Sequence, residues 1–226
     1  MRFIGVSTEI SRSTGPSSRV NGATRGPDLT AALGRPAPVT LSGSRGTDNT
    51  VSGLDARTGR LIWSVTLGSL DPSLVDAGAR GPIVVSEGRV LVACRKFLPE
   101  RRLTVLILAA LDARSGRLLW HRSVGSAGSL PFMTTFTQFD HTLVSRGVVY
   151  RSDDLGVLGA YRVEDGEPVW LRSLPRQAMQ GADSPRAFEI SGPVIDPSGD
   201  SLVLLTPDRD ALVRLSCADG RELARR

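Results

Sequence analysis

Side-chain chemistry needs titratable or nucleophilic groups held close together, and this chain of 226 residues offers few. His121 and His141 are its only histidines. His141 directly follows Asp140, so a Ser–His–Asp set can be drawn, but no nucleophile-elbow motif accompanies it. His121 follows Trp120 and, on a strand, faces away from it, which is the place of a structural histidine. Asp153-Asp154 and Asp208-Arg209-Asp210 carry oxygens that could ligate calcium. They lack the ligand spacing of a calcium loop and read as solvated turns. Cys94 and Cys217 lie far apart in strand-like runs and read as buried free thiols, neither a disulfide framework nor a zinc site. No glycine-rich phosphate loop follows a strand and opens a helix. No catalytic, cofactor-binding or metal-binding residue is predicted, and the expectation is a protein that is not an enzyme.

The elements that would position such groups are set by a repeat. Leu54-Asp55-Ala56-Arg57-Thr58-Gly59-Arg60-Leu61-Ile62-Trp63 returns as Leu111-Asp112-Ala113-Arg114-Ser115-Gly116-Arg117-Leu118-Leu119-Trp120. A looser copy runs from Tyr161 through Gly166 to Trp170, and a fourth from Leu215 through Gly220 to Ala224, where the indole is lost. The chain's three tryptophans all fall at this one position. Self-similarity on this scale marks a solenoid, a propeller or an array.

Around each copy the chain reads strand, turn, strand. Pro82–Ser86, the turn Glu87-Gly88, Arg89–Cys94, a loop at Lys96–Arg102, the strand Leu103–Asp112 and the strand Arg117–Val124 make up the second repeat. The third and fourth follow suit, and the first is worn, clear only over Thr50–Leu67. Helix-period patterning is absent, so the chain is predicted all-β. The glycine of each copy closes a tight hairpin that needs a positive φ, and a neighbouring Asp, Ser or Thr can hydrogen-bond the turn backbone. The tryptophan four residues on can bury ~150–250 Å² against the next sheet, an upper bound on the order of 4–6 kcal/mol. Gly59, Trp63, Gly116, Trp120, Gly166, Trp170 and Gly220 are therefore the predicted structural repeat residues. Residues 1–30, rich in Ser, Arg, Gly and Thr, read as a disordered or poorly formed leader. The rest divides into sheets at roughly 31–68, 80–125, 139–175 and 190–226.

The formal net charge is +5, yet Lys96 is the only lysine and the arginines are scattered. This is the pattern of solvated faces rather than a nucleic-acid surface. No run is apolar for long enough to cross a bilayer, and the first residues lack the apolar core of a signal peptide.

Four-stranded sheets stacked about an axis make a β-propeller. The Leu-Asp-Ala-Arg-Ser/Thr-Gly-Arg-Leu-x-Trp motif resembles the tryptophan-docking repeat of the pyrroloquinoline-quinone-like (quinoprotein-type) propellers, and within them the BamB-like, non-enzymatic branch. The resemblance covers about residues 37–226, strongest at Leu54–Trp63 and Leu111–Trp120. It implies a β-propeller of four-stranded antiparallel blades, three clear and one worn. Such a set is an incomplete ring from a longer protein, an open half-ring that pairs with another chain, or a closed four-blade ring. The resemblance also implies a cell-envelope or periplasmic setting. In the quinoprotein dehydrogenases the quinone (PQQ) lies under a disulfide between adjacent cysteines and binds calcium through carboxylates. This chain has no Cys-Cys pair, so no cofactor residue is carried over. The reading is a binding or scaffold module for a protein or peptide partner, or for further blades. The alternatives are a fragment of a PQQ-dependent dehydrogenase, and a small-molecule or carbohydrate binder at the channel.

Partners of propellers usually meet the loops between blades, an analogy at the level of fold. Residues 68–81, 96–102, 125–139, 153–156, 175–191 and 207–210 are the loops concerned. Phe132, Met133 and Phe136 crowd one of them and offer an apolar contact, unless they turn inward. Arg101, Arg102, Arg176 and Arg186 could form a polar rim.

Overall fold

The computed structural model describes residues 39–43, 49–128, 140–153, 156–174, 192–206 and 210–226. Among the described residues, sixteen strands form four consecutive antiparallel sheets. The first holds β1 (Val39–Gly43), β2 (Asn49–Leu54) and β3 (Leu61–Thr66). In the second, β6 (Arg89–Leu98), β7 (Leu103–Asp112) and β8 (Leu118–Gly128) follow one another. Two short pieces, β4 (Gly78–Ala79) and β5 (Val84–Ser86), both pair with β6 and share its inner edge. The third runs β9 (Asp140–Ser145), β10 (Val148–Asp153), β11 (Val157–Arg162), β12 (Pro168–Ser173). The fourth runs β13 (Val194–Ile195), β14 (Ser201–Leu205), β15 (Leu212–Ser216), β16 (Glu222–Arg225).

Local chemistry explains these meanders. Glu87-Gly88 and Arg146-Gly147 both take positive φ at both positions (50° and 73°; 50° and 71°), the type I′ hairpin whose twist matches that of its strands. The repeat glycines Gly59, Gly116, Gly166 and Gly220 have φ of 70°, 72°, 73° and 69°. Asp55 and Asp112 hold their turns by accepting from the backbone N–H groups two and three residues on, at 3.1 and 2.8 Å in each case. A bulge follows at the same register in all four sheets, at Gly53/Leu54, Ala110/Leu111, Ala160/Tyr161 and Arg214/Leu215.

The sheets stack face to face, and three cores fill the gaps between them. Val51, Trp63, Val92 and Ile107 lie between the first and second sheets. Leu91, Leu108, Val149 and Tyr161 lie between the second and third, and Tyr150, Trp170, Leu202 and Val213 between the third and fourth. Alternate residues of β6 enter different cores, so the second sheet is buried on both faces. The inner strands of successive sheets neighbour one another, β1 beside β4 and β5 beside β9. These are propeller blades, and they do not close into a ring.

The described chain is nearly all-β, as expected; the one-turn helix α1 (Leu67–Leu70), a 3-10 turn at Pro72–Leu74 and the strand β4 follow β3. Buried Leu67 and Leu74 anchor this stretch, and a single turn is too short to show helical periodicity. The loop at 96–102 shrinks to a 3-10 turn at Pro99–Arg101, because β6 stays paired with β7 as far as Leu98. The loop at 125–139 begins as strand, because β8 stays paired with β7 as far as Gly128. The strands of the second sheet run from Gly78 to Gly128. The leader at 1–30 lies outside the described residues.

Candidate functional site

Each tryptophan leaves its own sheet and seats on the next. The Trp63 indole N–H donates to the Ala113 carbonyl at 3.1 Å, Trp120 to Val163 at 3.2 Å, and Trp170 to Cys217 at 2.9 Å. In every case the acceptor lies three residues before the repeat glycine of the following sheet. That glycine forms the floor of the seat. A Cβ on Gly116 would come within 2.5 Å of the Trp63 ring, on Gly166 within 2.6 Å of Trp120, and on Gly220 within 2.7 Å of Trp170. The motif therefore carries two roles, a turn and an indole seat, and Gly59, Gly116, Gly166 and Gly220 need hydrogen at Cα for the first in any case.

A buried ion cluster, not foreseen from the sequence, lies between the second and third sheets. Asp140 at the start of β9 accepts from Arg95 of β6 through both oxygens, at 3.0 and 2.8 Å, and stands 3.2 Å from the Arg151 guanidinium of β10. All three are buried. Gly81, in the break between β4 and β5, has φ 74° and lies against the Asp140 carbonyl, where a Cβ would overlap it. Burial pushes the Asp140 carboxyl up, but the Arg151 and Arg95 charges outweigh it and hold the group below the usual carboxylate range. Asp153, at the end of β10, is read from sequence as a solvated turn residue and is instead buried. Burial first, and then the Asp140 charge, raise it to about 6 against the pull of Arg151. Cys94 lies close to this cluster, and burial pushes its thiol up to about 12, so it is no nucleophile at neutral pH.

Arg95 and Arg151 share the Asp140 carboxylate across two blades, while the buried Arg151 nitrogens make no hydrogen bond among the described residues. The described residues do not fit a quinone–calcium site. The cysteines are in different sheets, the buried Asp140 is engaged by arginines, and among the described residues no three of His, Cys, Asp and Glu gather as metal ligands. The Ser–His–Asp set drawn at His141 loses its carboxylate, because Asp140 is engaged by Arg95 and Arg151. His121 Nε2 stands 3.5 Å from Asp71, tying β8 to the 3-10 turn. Asp210 accepts from Thr206 at 2.6 Å. Asp154, Asp208 and Arg209 lie outside the described residues.

A third feature is the long end of the second sheet. Aligned on the repeat, β7 begins four residues earlier than β11, a projection of ~13 Å at ~3.3 Å per residue. Its tip exposes Phe97 (40%) together with Arg101 and Arg102. Lys96 Nζ donates to the Ser73 carbonyl at 3.2 Å, so the tip adjoins the blade connection at 67–77. Two of the candidate partner residues, Arg101 and Arg102, thus sit together. Phe132, Met133, Phe136, Arg176 and Arg186 lie outside the described residues.

Residues 32–225 match the model of the PQQ-like repeat family described as outer membrane protein assembly factor BamB. The chain belongs to this family. The crystal structure of BamB from Moraxella catarrhalis superposes with a TM-score of 0.53 at 16% identity, covering 82% of this chain and 45% of that one. A quinohemoprotein alcohol dehydrogenase from Pseudomonas putida gives 0.48 at 17% identity over 80% of this chain and 31% of that one. Tetrathionate hydrolase of Acidithiobacillus ferrooxidans is 23% identical over 159 residues, 68% of this chain and 30% of the relative. The chain thus spans under half the length of these proteins. The likeness to BamB confirms the propeller fold of this BamB-family chain. No helix among the described residues is long and apolar enough to cross a membrane.

Sequence reading missed the ion cluster because its partners are 45 and 56 residues from Arg95 and meet only across the stacked sheets. One signal was available: Arg95 and Arg151 interrupt strand runs that are otherwise buried.

Proposed function

We propose that this BamB-family propeller segment is a non-enzymatic module that binds a protein or peptide partner in the cell envelope. The observation that carries it is the projecting tip of the second sheet, where exposed Phe97 stands beside Arg101 and Arg102. An aromatic anchor with arginines around it is the composition of a protein-binding patch. The buried Asp140, by contrast, is already engaged by Arg95 and Arg151. A partner complementary to this tip is an extended segment with apolar and acidic residues.

The reading is tested with a displayed peptide library selected on the intact chain and counter-selected on the Phe97→Ser/Arg102→Glu variant. The expected result is enrichment of acidic–aromatic peptides whose affinity falls at least tenfold on the variant. Peptides that bind both forms equally overturn it. So does stoichiometric binding of pyrroloquinoline quinone with calcium, followed by absorbance, which would favour the dehydrogenase alternative.

A further inference from the structure

Arg151 is among the largest fully buried side chains, only 2% exposed. Its guanidinium brings five N–H donors in a planar fork and keeps its charge at any working pH. Asp140 does not satisfy it. Both Asp140 oxygens already accept from Arg95, at 3.0 and 2.8 Å, and the Asp140 carbonyl is fixed against Gly81. What remains for Arg151 is a 3.2 Å contact with Oδ1 that lacks hydrogen-bond alignment. Its Nε, Nη1 and Nη2 are all buried, with no hydrogen-bond partner among the described residues. Thr142 stands across from Arg151 on β9, and its Oγ1 is also buried and without a hydrogen-bond partner. Gly159 stands across from Arg151 on β11 and adds no side chain. A buried cation is strongly penalised until acceptors meet its donors, and here one shared carboxylate is the only acceptor nearby among the described residues.

We propose that Arg151 and Thr142 form a binding site for a small monovalent oxyanion of carboxylate geometry, held between the second and third sheets. Two N–H groups of a guanidinium match the two oxygens of a carboxylate side by side, and the Thr142 hydroxyl donates a third bond. The local charge sets the valence. Arg95 of the second sheet and Arg151 of the third face Asp140, which their charges keep ionised, and Asp153. Cys94 and Tyr161, the other titratable groups at this interface, are pushed up to about 12 by burial and are neutral. Arg80, which also bears on Cys94, is exposed and screened by water. Burial, and then the Asp140 charge, hold Asp153 at about 6 against the pull of Arg151. Once Asp153 is protonated, two buried guanidiniums face the single Asp140 carboxylate, and one further negative charge balances them. A dianion would overshoot that balance. Binding therefore strengthens as pH falls through about 6, and by linkage the bound anion raises the proton affinity of Asp153. The site is separate from the Phe97 tip and does not rest on the partner-binding reading, so either can fail alone.

Formate is the probe. The intact chain is titrated with sodium formate at pH 5.5, in a carboxylate-free buffer of constant ionic strength, and followed by calorimetry and by the thermal midpoint. Wild type should bind one formate per chain, at least tenfold more tightly than chloride, a point charge that cannot engage the fork. Arg151→Leu should weaken formate at least tenfold. That variant keeps the one-to-one pair of Arg95 and Asp140, so it should fold, which circular dichroism checks. Thr142→Val, which removes only a hydroxyl, should cost a factor of about three to ten. Arg57→Ser removes the same charge from an exposed turn of the first sheet and should leave binding unchanged. At pH 8 wild type should bind at least threefold more weakly than at pH 5.5, and Asp153→Asn should restore the stronger binding. Absence of saturable binding at pH 5.5 overturns the inference. So does equal affinity in wild type and a folded Arg151→Leu chain, or chloride binding as tight as formate. Should Arg151→Leu not fold, Asp153→Asn at pH 8 decides: a gain of at least threefold over wild type supports the site, and a smaller change or none refutes it.

Discussion

Alanine at Gly116 and at Gly59 separates the two roles of the repeat glycine. Both have a φ near 70° and the same turn hydrogen bond, so the backbone cost of a Cβ is shared. It is roughly 1–2 kcal/mol for a left-handed non-glycine residue, offset by ~0.4–1 kcal/mol from the less free unfolded chain. Gly59→Ala should therefore cost ~1 kcal/mol. At Gly116 the new Cβ lies 2.5 Å from the Trp63 ring. The ring cannot retreat, because Gly53 lies against its other side and the Ala113 carbonyl holds its N–H at 3.1 Å. Overpacking of that kind adds ~1–3 kcal/mol, for a total of ~2–4 kcal/mol. Urea denaturation followed by circular dichroism reads the difference as a shift in midpoint at constant slope. Equal losses at Gly59 and Gly116 would refute the indole seat and leave the glycine a turn residue only.

Trp170→Ala, which empties a seat and removes an indole only 8% exposed, should cost ~3–5 kcal/mol, read by the same melts; a loss below ~1 kcal/mol contradicts the clamp. Asp140→Ala leaves Arg95 and Arg151 buried without their shared carboxylate and should cost ~3–5 kcal/mol, whereas an exposed pair such as Arg146–Asp200 should cost under ~1 kcal/mol. Asp153 has its pKa raised to about 6, so between roughly pH 4 and 6 the folded chain binds more protons than the unfolded one. Its contribution is most favourable near pH 4 and is lost as pH rises through 6, by ~2–3 kcal/mol, and Asp153→Asn should flatten that slope in melts across this range. Asp140, held low, acts the opposite way, and its stabilisation disappears only on acidification below about pH 4. Cys94 should stay unreactive to a disulfide reagent at pH 8 until the chain unfolds.

The repeat was legible because hairpin chemistry is local. Asp, Gly and Trp sit within ten residues of one another, and each acts through neighbours the spacing already defines. The seat for the indole was legible only as a requirement, since the carbonyl that receives Trp63 is 50 residues away. The ion cluster was not legible, because the burial of Asp140 and Asp153 depends on which sheet faces them. Asp153 looks like a turn residue beside Asp154, and only its pairing with Asp140 at the end of β10 places it inside. The tip around Phe97 was misread for a related reason. Lys-Phe-Leu-Pro-Glu has the look of a loop, but where β6 ends is decided by its partner β7, which is itself held by β8 as far as Gly128.

The same dependence on partners explains why the two outer sheets differ. In a stacked repeat each unit is stabilised by its neighbours, so the residues of each face follow what packs on it. The fourth sheet is altered. It lacks the indole, and the polar Arg214 crosses the place where a small residue would lie under a ring. The first sheet keeps its glycine and its Asp55-capped turn, and among the described residues nothing lies within 4 Å of the place of a Gly59 Cβ. Glycine at position 59 is accounted for by its φ of 70°, with or without a ring above it, so the turn and the indole seat are separable demands on one residue, and both act together at Gly116, Gly166 and Gly220.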